Sequence, residues 1–164
     1  MSRSGYSDDC DENGTGGLWR GAVMRSIRGK RGQTALQELA AALDAMTEKT
    51  LAAESLVTED GEFCTLGVLG QARGLNMNPL DPEDWDAVAK AFNIAPAMVR
   101  EIVYENDEVL DDYKWVDVEI YGPVRPYERR IRSVRIAIPE EVLGPQRWHR
   151  MRQWVEANLV KEPA

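Results

Sequence analysis

The sequence predicts a helix-dominated α+β fold in a single domain. Five segments repeat apolar residues at helical spacing, and two segments in the C-terminal half alternate apolar and polar residues as half-buried strands do. The chain has 164 residues, of which 43% are hydrophobic and 29% are charged. This composition is that of globular proteins, and the length is sufficient for a core of its own.

The N-terminal part is predicted to be a flexible arm followed by a helical hairpin. Residues 1–17 are polar and glycine-rich, as mobile termini are, so the folded domain is expected to span residues 18–164. The first helix should begin near Leu18 and end at Gly29. The second should run from about Gln33 to Met46, because its apolar residues form one continuous stripe.

Residues 87–103 have the spacing of a helix-turn-helix pair. Small Ala89, turn residue Asn93, and the apolar residues Val99 and Ile102 fall where this motif needs close contact, a turn and core anchors. The second helix should cover residues 96–106. Its only cation is Arg100, and four carboxylates follow on the same stretch, at Glu101, Glu105, Asp107 and Glu108. A helix with this charge is poorly suited to lie among DNA phosphates.

Two β-hairpins are predicted. A short one in residues 55–66 surrounds Asp60-Gly61, a favoured two-residue turn. A longer one in residues 111–139 pairs an acidic strand with a basic strand, and each is expected to bury one face because its apolar residues alternate. These apolar residues are Val116, Val118 and Ile120 in the first strand and Val134, Ile136 and Ile138 in the second.

A terminal helix is predicted to open at Pro145, because proline is favoured at the first helical position. Its apolar stripe should consist of Trp148, Met151, Val155 and Leu159. Its other large side chains are expected mostly outside, namely Arg147, His149, Arg150 and Arg152.

Several segments resemble a group of uncharacterised proteins from phages and prophages of proteobacteria. They are GYSDDCD, LWRGAV, RGKRGQ and DPEDWDAVAKAFNIAPAMVREIVYENDE. The resemblance covers residues 4–108 and resumes at residues 148–155. In those proteins the chain passes quickly from the ENDE segment to the terminal helix, which implies that residues 111–139 are an insertion here. The resemblance implies a small accessory protein of a mobile element and carries no catalytic residues.

Nothing in the sequence indicates an enzyme or a cofactor. His149 is the only histidine, and neither a nucleophile elbow nor a phosphate-binding loop is present. Cys10 and Cys64 have no partner motif and are expected to be free thiols. No apolar run approaches a membrane span, and the polar start is no secretory signal, so no membrane contact and a location in the cytoplasm of the bacterial host are expected.

Residues 9–14 match the first half of an EF-hand calcium loop, with alternating oxygen ligands and a glycine at the sixth position. The twelfth position requires a bidentate glutamate and holds Arg20 instead. Because this cation would oppose the metal, no metal site is predicted.

Charge is segregated along the chain, whose net charge is −8. Residues 81–119 contain twelve acidic and three basic residues, and residues 120–152 contain three acidic and eight basic residues. A third, basic block consists of Arg20, Arg25, Arg28, Lys30 and Arg31. This block could contact nucleic-acid phosphates or could only offset the acidic middle, and the acidic segment could imitate a phosphate backbone or could only be solvated.

The predicted function is therefore non-enzymatic: a phage- or prophage-encoded module that binds a host or phage protein, as an inhibitor of a host nucleic-acid-targeting defence system of the anti-CRISPR or anti-restriction type. The residues predicted to bind the partner are the basic block, the carboxylates Glu101, Glu105, Asp107 and Glu108, and the hairpin residues Tyr113, Arg125, Tyr127 and Arg129. The alternative is a helix-turn-helix-like DNA-binding transcriptional regulator.

Overall fold

The computed structural model describes residues 3–6, 16–120 and 130–161, and within them the fold is the predicted helix-dominated α+β domain. The helices of this part of the chain are α1 (Gly16–Arg28), α2 (Lys30–Ala45), α3 (Thr65–Ala72), α4 (Trp85–Phe92), α5 (Pro96–Val103) and α6 (Glu140–Asn158). A π-helical turn, Tyr104–Glu108, continues α5, and the strands are β1 (Tyr113–Ile120) and β2 (Arg130–Ala137).

The predicted helical hairpin is confirmed. Leu36, Leu39 and Leu43 of α2 are buried in one cluster with Val23 and Ile27 of α1. The chain turns between the two helices at a single residue, which allows the apolar stripes of both helices to face the same core. Residues of α4, α5 and α6 complete this cluster.

The helix-turn-helix-like pair is also confirmed as a structure. Helices α4 and α5 are joined by a short turn in which Asn93 has a left-handed backbone (φ 49°), a conformation that asparagine tolerates better than most residues. Ala89, Val99 and Ile102 are buried at the positions the motif requires.

The hairpin predicted in residues 55–66 is reduced to a turn. Val57 and Phe63 form one isolated antiparallel bridge, and Gly61 supplies the positive φ of 83° that the turn needs. Strands longer than this single bridge do not form there, because Cys64 caps α3 directly after the bridge. Helix α3 itself is not predicted by any pattern, since its sequence TLGVLGQA is apolar on nearly all sides.

The longer hairpin pairs as predicted, with Val116 opposite Val134 in an antiparallel register. The prediction that each strand buries one face is wrong. On the face predicted to be buried, Ile120 is 39% exposed and Ile136 is 42% exposed. On the opposite face, Trp115 is 63% exposed and Ile131 is 68% exposed. The six helices already close the core, so the two strands cover mainly each other.

Helix α6 begins earlier than predicted. Its first residue is Glu140, Pro139 precedes it as the cap, and Pro145 lies inside the helix. Pro145 has no backbone N–H to donate to the carbonyl four residues earlier in the helix. It lies at an exposed turn, where water can donate a hydrogen bond to that carbonyl instead. The predicted stripe is confirmed, because Met151 and Val155 are fully buried.

The prediction that Arg147 faces outward is wrong. It is buried, and its Nη2 donates to Glu140 Oε1 at 2.9 Å. His149 is exposed as predicted, whereas Arg150 and Arg152 are each partly covered and paired with acidic residues of other elements. Among the described residues, no helix combines the length and apolar character that a bilayer span requires.

Candidate functional site

The N-terminal residues 3–6 dock on the π-helical turn after α5. Ser4 is fully buried, its backbone N–H donates to Glu108 Oε1 at 2.6 Å, and its hydroxyl donates to Glu108 Oε2 at 2.9 Å. Arg3 forms an ion pair with Asp107. The prediction of a flexible arm over residues 1–17 is therefore wrong for residues 3–6, and Gly16 and Gly17 belong to α1. The rest of the predicted arm lies outside the described residues.

Arg100, the only cation of the second predicted helix of the helix-turn-helix pair, points into this junction. Its Nε donates to the Ser4 carbonyl at 2.6 Å. Its guanidinium lies 4.4 Å from the ring centroids of both Trp19 and Trp85 and 5.5 Å from that of Tyr6. Such cation–π contacts stabilise a partly desolvated arginine, so this side chain holds the N-terminal residues in place.

Glu101 lies at the centre of the same junction and is 2% exposed. Its carboxylate accepts a hydrogen bond from the Tyr6 hydroxyl at 2.5 Å and two from Arg20 Nη1 at 2.8 and 2.9 Å. Burial and the hydrogen bond to this carboxylate raise the pKa of Tyr6. The hydrogen bond to Glu101 likewise raises the pKa of Arg20.

The other predicted carboxylates also serve internal contacts. Glu105 pairs with Arg150 of α6. The side chain of Asp107 is 6% exposed, and burial raises its pKa although Arg3 opposes the shift. All four predicted carboxylates, Glu101, Glu105, Asp107 and Glu108, are engaged in contacts within the chain, and the prediction that they bind a partner stays a prediction. Their charge is matched by cations and donors of the same chain that are distant in sequence.

The basic block separates into two parts. Arg20 is held by Glu101, whereas Arg25, Arg28, Lys30 and Arg31 are exposed around the corner between α1 and α2. A cleft of about 220 Å³ at this corner is lined by three of these cations and by Ala95, which precedes α5. The four exposed cations, termed here the basic corner, thus lie beside the N-terminal end of the second helix of the pair.

The exposed surface of the β-hairpin is the other candidate. The Arg135 guanidinium lies 3.6 Å from the ring centroid of Tyr113, and this ring meets that of Trp115 edge to face at 6.1 Å. The predicted binding residues Arg125, Tyr127 and Arg129 lie outside the described residues. Trp115 is absent from the predicted binding residues, although its place next to Val116, on the face of the strand opposite the alternating apolar residues, indicated an exposed position.

An acidic cleft of about 650 Å³ opens at the base of the hairpin. Its acidic lining includes Glu54, Glu62, Asp111 and Asp112, and Arg147 lines it as well. Among the described residues, no three acidic, histidine or cysteine side chains are grouped to hold a metal ion. The EF-hand-like residues 9–14 lie outside the described part.

The Cys64 thiol is buried at the start of α3, where its sulfur accepts a hydrogen bond from the Gly67 N–H at 3.4 Å. Burial raises the pKa of this thiol to about 11. A thiol in this state is a poor nucleophile at neutral pH, so its contribution here is to cap the helix.

Comparison with protein family models, with curated proteins and with solved structures finds no match to this chain. The resemblance to phage and prophage proteins stays a prediction.

Proposed function

We propose that this protein is a non-enzymatic interaction module that binds a partner protein through its β-hairpin. The observation that carries the proposal is the exposure of Trp115 and Ile131 on a two-stranded ribbon. A two-stranded hairpin is marginal alone, and exposed apolar side chains grouped on one element are typical of binding surfaces. Tryptophan is also among the residues that most often dominate binding energy.

The biological role in this proposal comes from the sequence resemblance. The module is encoded by a phage or prophage, and its partner is a component of a host system that targets nucleic acids. By occupying that component, the protein acts as an inhibitor. The acidic residues 101–108 have no part in this role, because they bind the N-terminal residues and α6.

The test is an affinity pull-down from nuclease-treated host lysate with three forms of the protein. The hairpin variant carries Trp115→Ala and Ile131→Ser, and the control carries Leu18→Ser, which removes from α1 an apolar side chain that is 77% exposed. A partner that binds the wild type and the control but not the hairpin variant supports the proposal. A partner that binds all three forms equally, or is lost after nuclease treatment, contradicts it.

A second candidate function is DNA binding by the basic corner. It is favoured by one observation, the position of Arg25, Lys30 and Arg31 beside the residue that precedes α5. In this form of the alternative, the cations grip phosphates next to the helix-turn-helix-like pair and Arg100 takes no part, because it is enclosed by aromatic rings.

This alternative is tested with a labelled DNA duplex at several salt concentrations. DNA binding that weakens steeply with salt and is abolished by Lys30→Glu with Arg31→Glu supports it. Lys114→Glu with Lys161→Glu is the control, since it makes the same charge change at two exposed sites outside the basic corner. Absence of binding, or equal losses in both variants, contradicts it.

A further inference from the structure

The register of the hairpin divides its side chains between two faces of different chemistry. Residues opposite each other in an antiparallel pair share a face, and successive residues alternate. The pairs Tyr113–Ala137, Trp115–Arg135, Asp117–Ser133 and Glu119–Ile131 make one face, termed here the aromatic face. The pairs Lys114–Ile136, Val116–Val134, Val118–Arg132 and Ile120–Arg130 make the other, termed the cationic face.

The charges of the ribbon are unevenly placed. Both of its carboxylates, Asp117 and Glu119, belong to the aromatic face, and the cationic face carries Lys114, Arg130 and Arg132. On the aromatic face Asp117 accepts a hydrogen bond from the Ser133 hydroxyl at 2.5 Å. The cationic face therefore holds three formal positive charges and no negative one in a protein whose net charge is −8.

The same face is also aliphatic. Val116, Val118 and Val134 are partly buried, while Ile120 is 39% exposed and Ile136 is 42% exposed. Nucleic acid matches this face poorly. Aliphatic side chains gain little binding free energy against hydrated phosphates, and the aromatic rings that could stack on bases lie on the opposite face. A protein surface that combines carboxylates with aliphatic groups matches both properties of the cationic face.

Area sets a further requirement on the partner. One face of eight residue pairs measures about 26 by 10 Å, or about 260 Å², whereas a stable interface buries about 800 Å² on each side. One face alone is therefore too small, and a partner strand along an edge of the ribbon adds about 125 Å² and a row of backbone hydrogen bonds. In the described residues the sheet has two strands, so the outer edge of β2 is available for a third.

We propose that the ribbon binds an extended acidic segment of its partner, which adds a strand to the edge of β2 and sets carboxylate and aliphatic side chains on the cationic face. This inference rests on the proposed function, because it extends the partner-binding surface of the hairpin from the aromatic face to the cationic face and names the chemistry recognised there. Backbone hydrogen bonds along β2 supply affinity, and Lys114 and Arg132 select for acidic sequences.

The test uses the full-length protein and three probes. The first is a capped peptide of three Glu-Thr-Val-Thr repeats, termed the Glu-Val peptide, in which glutamate and valine share one face of an extended strand. The others are its lysine counterpart, termed the Lys-Val peptide, and a DNA duplex of 20 base pairs. Binding is measured by calorimetry for the wild type, for Lys114→Glu with Arg132→Glu, and for the control Arg28→Glu with Lys30→Glu, which makes the same charge change at the basic corner. The Glu-Val peptide is expected to bind the wild type and the control alike and to lose at least tenfold in affinity with the hairpin variant.

Three results would overturn the inference: no affinity for the Glu-Val peptide, equal affinity for the Lys-Val peptide, or an equal loss in the control. DNA binding that is lost only in the hairpin variant would also overturn it and assign the face to nucleic acid. If the lysate partner is lost with Trp115→Ala and Ile131→Ser but retained with Lys114→Glu and Arg132→Glu, the proposed function stands and this inference fails.

Discussion

Removal of the Asn106 side chain should be among the most damaging single changes in the protein. Asn106 is buried in the π-helical turn and joins three segments. Its Oδ1 accepts hydrogen bonds from the Thr65 backbone N–H at 3.2 Å and the Thr65 hydroxyl at 2.6 Å. Its Nδ2 donates to the Ala52 carbonyl at 2.9 Å and to Asp107 Oδ1 at 2.6 Å.

Asn106→Ala would leave the N–H and hydroxyl of Thr65 and the carbonyl of Ala52 without these bonds in a buried site. Each such group costs about 1–3 kcal/mol, and water that enters the space returns part of this, so we expect a loss of about 3–5 kcal/mol in the free energy of unfolding. With a urea dependence of about 2 kcal/mol per M, the midpoint should fall by about 1.5–2.5 M.

The assay is urea unfolding followed by circular dichroism, with the exposed residue Asn78→Ala as the control. The control should change stability by no more than about 0.5 kcal/mol. Thr65→Val, which removes only the hydroxyl, should cost about 1–2 kcal/mol and keeps the test measurable if Asn106→Ala does not fold. A loss below about 1 kcal/mol for Asn106→Ala would refute the reasoning, because it would mean that the turn holds its shape without this side chain.

Three further predictions concern packing, the N-terminal residues and pH. Gly67→Ala should lower the free energy of unfolding by more than about 2 kcal/mol, because the added Cβ would lie 1.9 Å from a backbone oxygen of the preceding loop. Gly17→Ala is the control, since its Cβ meets open space and the change should be neutral or stabilising. Equal melting temperatures of the two variants would contradict this prediction. Tyr6→Phe removes a donor to a buried carboxylate and should cost about 1–2 kcal/mol in urea unfolding, and a loss below about 0.5 kcal/mol would show that the N-terminal contact adds little. Arg147 lowers the pKa of Glu140 in the folded protein, so the stability this pair adds is present above the ordinary glutamate pKa and is lost as the pH falls through the folded value. Unfolding at pH 7 and pH 3 should therefore show a larger advantage of wild type over Glu140→Gln at pH 7 than at pH 3, and an equal advantage at both values would count against the pairing.

Local sequence patterns were sufficient to predict those secondary-structure elements whose formation depends on one short stretch of chain. The stripe of α2, the turn at Asn93 and the alternation of β1 and β2 predict elements that the structure contains, because spacing and turn chemistry act over a few residues. Helix α3 escaped prediction because it is apolar on nearly every side and has no periodic contrast. The start of α6 was misplaced because Pro145 is tolerated within the helix at an exposed turn.

The candidate site was harder to predict, because the sequence does not show which distant residue forms an ion pair with a given charged residue. Glu101, Asp107 and Glu108 looked like an exposed acidic surface, but residues 3–6 and Arg20 approach them from about 80 to 104 positions away.

The sequence by itself determined the fold class, the helical hairpin, the helix-turn-helix-like pair and the pairing of the two strands, because each follows from periodicity and turn residues within a short segment. Only the tertiary structure decided which charges face solvent and which apolar side chains are left exposed. The carboxylates after Arg100 are internal and Trp115 is exposed for the same physical reason. Whether a side chain is buried depends on which distant segments pack against it, and the packing of the whole chain determines this.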